Sequence, residues 1–378
     1  MKGPSQFFIL ALTGLLALVS CGRAGTPNSG PWPALSDSAF AGLISEFSEP
    51  GRYFDTDNLI SNETTYLEVM GALDRYGVGG GAYIGVGPDQ NFSYIARVRP
   101  QVAFIVDIRR DNLLQHLWFK ALFNQAATRA EFLSLMYGKP LPDSLASWRE
   151  RTLESLTHYI DTVAADSGAA RAAMETVQLA IGRGGVTLSA DDSVTIMNVH
   201  LRFIAAGLDL RFRTHGRISR SCYPTHRFLL TDGGSAEPAS YLATDAAYQV
   251  VRRLQLKNLV IPLVGDLAGE HALSAIAEYL DQRNTRVSVF YTSNVEFYLF
   301  DDGVFSAFAR NVATLPTDSA SVIIRSVFRR GRVSVGPIRE GSCSVQSLQR
   351  VDALADWFAG DRFPSYYDLV RYDPLPLP

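Results

Sequence analysis

Four short polar stretches each follow directly on an apolar run, and they hold the side chains best suited to chemistry. The first is Gly85-Val86-Gly87-Pro88-Asp89-Gln90-Asn91. Gly85 and Gly87 permit a tight turn and close backbone approach, and the helix expected next offers unpaired N–H groups to a ligand beside Gln90. The second is Asp107-Ile108-Arg109-Arg110. Asp107 lies roughly 20 residues past the glycine turn, where a carboxylate accepts hydrogen bonds from ribose hydroxyls, with Arg109 close by. The third is Asp266 with Gly269, in GDLAG, and the fourth is Thr292-Ser293-Asn294-Val295-Glu296. Asp266, Asn294 and Glu296 are the candidate catalytic, substrate-facing groups, and Gly85, Gly87, Gln90, Asp107 and Arg109 the candidate ligand-binding ones. Asp266, Ser293 and Asn294 are also good helix N-caps, so no single one of them argues for function. Their convergence at one sheet edge does.

A further stretch, FDTDNLISNET at 54–64, puts the oxygens of Asp55, Asp57, Asn58, Ser61, Asn62 and Glu63 within nine residues. Asn62 and Glu63 are placed to reach over the sheet edge and close the pocket, as additional ligand-binding candidates. The same run reads equally as a polar turn whose Ser61 or Asn62 caps a helix over 65–76. Its offsets do not fit a calcium loop.

The apolar runs must supply the frame. Residues 79–88 read as a short strand entering a glycine turn, and 101–107 (QVAFIVD), 258–265 (NLVIPLVG), 286–291 (RVSVFY) and 321–328 (SVIIRSVF) as further strands. Runs apolar throughout belong to strands buried on both faces, which favours a parallel sheet. Helical patterns at 91–98, 245–256 and 272–280 alternate with them. The expected fold is therefore α/β, a Rossmann-like, doubly wound, mostly parallel sheet. It forms a single domain over 39–372 with a helical insertion at about 112–185, where Leu145, Trp148, Leu153, Leu156 and Ile160 recur near the helical period. A Pro-rich tail is expected at 373–378.

Segments 83–91 and 104–112, with GDLAG, FYTSNVEFYLF and FDTDNLISNET, resemble a family of uncharacterised bacterial proteins over most of the chain after Phe54. More distantly, the first strand–helix–strand unit is similar to S-adenosylmethionine-dependent methyltransferases. That resemblance implies S-adenosylmethionine as a possible cofactor, with Gly85 and Gly87 at its methionine part and Asp107 at its ribose. The chain departs from the pattern at Tyr83, where such enzymes usually carry an acid, and at Asp89, where they carry the third glycine.

The N-terminus carries its own signal. Lys2 precedes an apolar run from Phe7 to Val19 that is too short to span a bilayer, and the run ends Leu18-Val19-Ser20-Cys21. This looks like a bacterial lipobox, with residues 1–21 as signal peptide and Cys21 as the lipidated first residue of the mature chain. An ordinary secretory signal with a chance cysteine is the alternative. Residues 22–38 are expected as a flexible tether. Cys222 and Cys343 then remain, either as one disulfide or as two unrelated thiols.

Other chemistries lack their residues. With 35 basic and 38 acidic side chains the formal charge is −3, which argues against a nucleic-acid partner. Composition that is 47% apolar is globular. The sequence has no H-E-x-x-H, no G-x-S-x-G and no Walker loop, its six histidines form no i, i+4 pair, and no metal site is expected. Cys222 with His226 has no nucleophile signature, and arginines 325, 329, 330, 332 and 339 read as a solvated basic face. The expectation is an envelope lipoprotein held to a membrane by lipid, at an outer membrane or extracytoplasmic face. It binds a small polar or nucleotide-like ligand at the carboxyl edge of its sheet. A methyltransferase-like enzyme is the alternative.

Overall fold

The computed structural model describes residues 32–215, 220–328, 339–360 and 365–377. Cys21 and the stretch 1–21 expected as a signal peptide lie outside the described residues. Within them the chain is α/β, built on a seven-stranded, mostly parallel sheet in the order β3-β2-β1-β4-β5-β6-β7. The strands are β1 (Ala82–Gly85), β2 (Val102–Asp107), β3 (Val260–Val264), β4 (Val287–Ser293), β5 (Val322–Phe328), β6 (Ser344–Arg350) and β7 (Pro374–Leu375). β1 to β5 pair in parallel, and β6 and β7 add on antiparallel. The apolar runs form the parallel part because helices cover it: every residue of β1 and β3 is buried. Pro262 is tolerated because β3 is an edge strand, paired with β2 alone.

Helix Asp245–Leu256 packs on helices Gln90–Val98 and Arg110–Gln125, while helices Asp37–Phe47, Ala272–Asp281, Phe305–Thr314 and Val351–Ala359 form a second packed group. Helix Arg110–Gln125 lies against β2 and β3, so it belongs to the sheet rather than to an insertion. The outer helices Ser167–Gly182 and Ala190–Ala206 pack on it, and the helical block therefore runs past 185. A capping box of Ser189 with Asp192 restarts the helix there.

Three further expectations change. The helix expected over 65–76 is a turn followed by Met70–Arg75 only, and within the turn the Leu67 N–H bonds the Gly233 carbonyl at 2.9 Å instead of a helical partner. The expected tail is pinned to the sheet, since Leu375 pairs with Leu348 and Tyr76 donates to the Pro376 carbonyl at 3.2 Å. The expected tether is packed at its end: Trp32 is buried and donates to Thr285 at 3.2 Å, and Leu35 bonds Lys257 across the fold. Among the described residues no helix is long and apolar enough to cross a membrane.

Cys222 and Cys343 form a disulfide, 121 residues apart in sequence with Cα atoms 5.8 Å apart. It ties the segment before helix His226–Thr231 to the entry of β6. Closing a loop of about a hundred residues removes unfolded-state entropy worth up to about 5 kcal/mol. Cys343→Ser is expected to lower denaturant stability by a large part of that, and reductant to bring the parent chain to the same value. A parent chain indifferent to reductant would contradict the bridge.

Candidate functional site

Strand order reverses between β1 and β4, so the chains leaving their carboxyl ends diverge and open a crevice. The crevice has a volume of about 1150 Å³. Gly87 and Gln90 reach it from the β1 turn, Asp107 and Arg109 from β2, Asp266 from β3, and Ser293 and Asn294 from β4. Asn62 and Glu63 line it from the N-terminal segment that crosses the strand ends. Of the ten ligand-binding and catalytic candidates named above, Gly85 and Glu296 are absent from its wall.

Glu63 is the centre of the arrangement. Its carboxyl is buried and accepts from the Tyr291 hydroxyl at 2.7 Å and from the Ser293 hydroxyl. Tyr291 in turn accepts from Gln90 Nε2 at 3.2 Å. Burial pushes the Glu63 carboxyl above its usual range, and its hydroxyl partners pull it only part of the way back. Ser293 is aimed there by a left-handed backbone with φ of 54°, at a register shift between β4 and β5. A non-glycine residue held in that region costs about 1–3 kcal/mol and is typical of functional sites. Asn58, also on the crevice wall, has φ of 45°.

Gln90, Thr56 and Tyr366 also line the crevice, and Gln90 Oε1, Thr56 Oγ1 and the Tyr366 hydroxyl are buried with no hydrogen-bond partner among the described residues. Such groups are rare, because each costs roughly 1–3 kcal/mol when left unpaired.

The other candidates are already engaged. Arg109 grips Asp107 through Nη2 at 2.9 Å and Nε at 3.1 Å, and the Arg109 backbone N–H adds a third bond at 2.9 Å. Asp266 accepts from Arg52 at 2.7 Å and from the Ala268 N–H at 2.9 Å. Gly85 serves packing rather than a ligand. A Cβ there would sit 2.0 Å from Asn91 Oδ1, and the Asn91 amide is needed to bond the Val86, Gly87 and Pro88 carbonyls of the turn. Gly87 does adopt a left-handed backbone, with φ of 81°. Its carbonyl accepts from His116, whose imidazole is pushed down to about 4 by burial and stays neutral.

Glu296 is corrected most sharply. It is fully buried away from the crevice against Arg325, also fully buried, and accepts from Thr292 at 3.1 Å. Arg325 is therefore no part of a solvated face, because its guanidinium is spent on Glu296 and on Gln349 at 2.7 Å. Arg339 pairs with Asp232, and Arg329, Arg330 and Arg332 lie outside the described residues. Cys222 is in the disulfide, while His226 is bonded to Asp89 at 3.1 Å and Tyr137 at 2.7 Å.

Thr56, Tyr291 and Tyr366 escaped the reading of the sequence, and so did Glu49. Glu49 accepts the backbone N–H groups of Asp266, His271 and Ala272 at 2.8–3.0 Å, closing the N-terminus of helix Ala272–Asp281 with the protein's own carboxylate. Nothing local in Ser48-Glu49-Pro50 signals that role. Tyr291 had a signal, since it stands two residues before Ser293 on the same strand.

The profile of a protein family described as a domain of unknown function (DUF7790) matches residues 59–174 and 212–372. The two segments hold all seven strands but the last, together with Glu63, Gln90, Tyr291 and Tyr366. Residues between them span the end of one outer helix and the whole of the next. A search of curated proteins finds no match to the chain.

Glu296→Gln is expected to cost about 3–5 kcal/mol in urea unfolding, because it strands the Arg325 charge in the core. Asn294→Ala, on the crevice wall, is expected to fall within about 0.5 kcal/mol of the parent. Equal effects would mean that the buried pair is not the structural element described.

Proposed function

We propose that this chain, which belongs to the DUF7790 family, is a binding protein of the bacterial cell envelope that takes a small polar ligand into the crevice. One observation carries the reading: Gln90, Thr56 and Tyr366 line the crevice, and each holds a buried polar atom without a partner among the described residues, which a ligand settling between them would supply. The strand order β3-β2-β1-β4-β5, with helices in two packed groups, supports a Rossmann-like, doubly wound fold whose switch point is this crevice. The lipobox-like Leu18-Val19-Ser20-Cys21 supports export and lipid anchoring. The Cys222–Cys343 disulfide is consistent with an oxidising compartment.

A methyltransferase-like enzyme is the second reading, favoured by the same strand order and by the glycine turn at Gly87. Against it stand Asp107, whose carboxylate Arg109 already holds, and Gly85, whose open face is filled by Asn91. The compartment weighs against it too, because S-adenosylmethionine is a cytoplasmic metabolite.

Calorimetric titration of the purified chain with S-adenosylmethionine and S-adenosylhomocysteine separates the two. No heat at millimolar ligand is the expected result. Micromolar binding, weakened by about 1.4 kcal/mol or more in Asp107→Ala, would instead put the enzyme reading first. In the same cells, palmitate labelling lost in Cys21→Ala is expected, and an unlabelled cytoplasmic protein would remove the envelope from the proposal.

A further inference from the structure

We propose that the crevice takes a ligand bearing a protonated amine, and that Glu63 is the counter-ion for its ammonium group. The inference rests on the crevice being a binding site, as proposed above, and adds the charge and chemistry of what enters.

The crevice is short of positive charge. Its described lining holds six carboxyl side chains, those of Glu49, Glu63, Asp107, Asp266, Glu270 and Asp302, against three arginines, Arg52, Arg109 and Arg220. A cleft lined with an excess of one charge concentrates ligands of the other, so phosphates and carboxylates are disfavoured here. Arg109 is committed to Asp107 and Arg52 to Asp266. Among the described residues Glu63 makes no ion pair, and its partners are hydroxyls. A carboxylate buried that way is costly until a cation reaches it.

The geometry beside it suits an ammonium. Gln90 is tied to the Glu63 cluster through Tyr291, and its Oε1 is an acceptor without a donor. Tyr291 and Ser293 already spend their protons on Glu63. What the cluster lacks is a group with several N–H donors and a positive charge, and an ammonium carries three donors and no acceptor. Phe54, Phe297 and Tyr298 line the same space, and ring faces attract organic cations. A metal ion is less suited, because no group of three His, Cys, Asp or Glu side chains among the described residues is placed to hold one.

Proton linkage follows. Burial raises the Glu63 carboxyl, so in the empty crevice it keeps its proton to higher pH than an exposed carboxyl does. The titratable groups that sense it are the phenols of Tyr66, Tyr83, Tyr94, Tyr291 and Tyr366, all pushed upward by burial and neutral while Glu63 titrates. Of the charged groups that act with it on these phenols, Glu296 and Arg325 at Tyr366 are paired with each other, and Asp89 at Tyr66 is bonded to His226. Where the free crevice is protonated, entry of the ammonium makes Glu63 release its proton to solvent, and no covalent bond changes. Affinity therefore rises with pH, by about tenfold per pH unit while the free crevice is protonated, then levels off, and falls only where the amine loses its own proton.

The test uses the full chain and three matched pairs of probes: tyramine against tyrosol, glucosamine against glucose, and putrescine against butanediol. Calorimetry is run from mildly acidic to mildly alkaline buffer, in buffers of different ionisation heat so that proton release is read directly. We expect an amine to bind at least about tenfold more tightly than its neutral partner, with proton release and affinity increasing with pH. Glu63→Gln should abolish both the pH slope and the preference. The proton release is measured on the parent chain, so the result does not depend on the variant folding. A neutral partner that binds as tightly as its amine, or a preference that survives Glu63→Gln, overturns the ammonium site and leaves the crevice as a binding site. No binding by any probe at millimolar concentration overturns both.

Discussion

The parallel pairing of β1 with β4 is the constraint on which the crevice depends. Gly85 stands opposite Tyr291 in that register, which puts the Tyr291 side chain beside the turn that follows β1. From there its hydroxyl meets Gln90 on one side and Glu63 on the other. A slip of one residue would send every β4 side chain to the opposite face and take Tyr291 out of the cluster. The register is secured by burial, since six of the seven β4 residues are buried and apolar side chains dominate its centre. The shift beyond Tyr291 then turns Ser293 toward Glu63.

The segment from Glu49 to Glu63 is laced across the ends of β2, β3 and β4. Glu49 takes the N–H groups at the start of helix Ala272–Asp281, and the Arg52 N–H bonds the Ile108 carbonyl at 2.7 Å. Arg109 donates to the Thr56 and Asp57 carbonyls, Gln115 to Leu59 at 2.6 Å, and Tyr291 to Glu63. The Arg109–Asp107 pair thus has a structural use of its own. It fixes the rim of the crevice by holding backbone carbonyls that would otherwise be unpaired.

The fold was legible because its signal is periodic and local. Apolar runs such as QVAFIVD and VIPLV can be little else than strands covered on both sides, and the polar residues after them mark where the sheet ends. Residues at those ends, among them Gln90, Ser293 and Asn294, were accordingly found on the crevice wall. What was not legible is pairing across long separations. Nothing near Glu296 in sequence says that Arg325, from the next strand, neutralises it, nor that Glu49 caps a helix more than two hundred residues away. The closing strands β6 and β7 were missed for a related reason. Ser344-Val345-Gln346-Ser347-Leu348-Gln349 has only two apolar residues, and its Gln346 and Gln349 are buried through bonds to Ser326, Arg325 and Tyr372 that only the folded chain supplies.

Glu63 and Glu296 show how the same residue type acquires opposite uses. Both are buried, and both accept hydrogen bonds from hydroxyls at the end of β4. Glu296 has Arg325 within the fold, so its charge is matched and its oxygens are occupied. Glu63 has only hydroxyls around it, which can accommodate either a protonated carboxyl or, with a cation present, a carboxylate. A carboxyl matched from inside the fold has nothing to offer what enters the crevice. One whose described partners are hydroxyls still lacks a cation, and a buried carboxyl left unmatched by the fold is the kind of group a binding site uses.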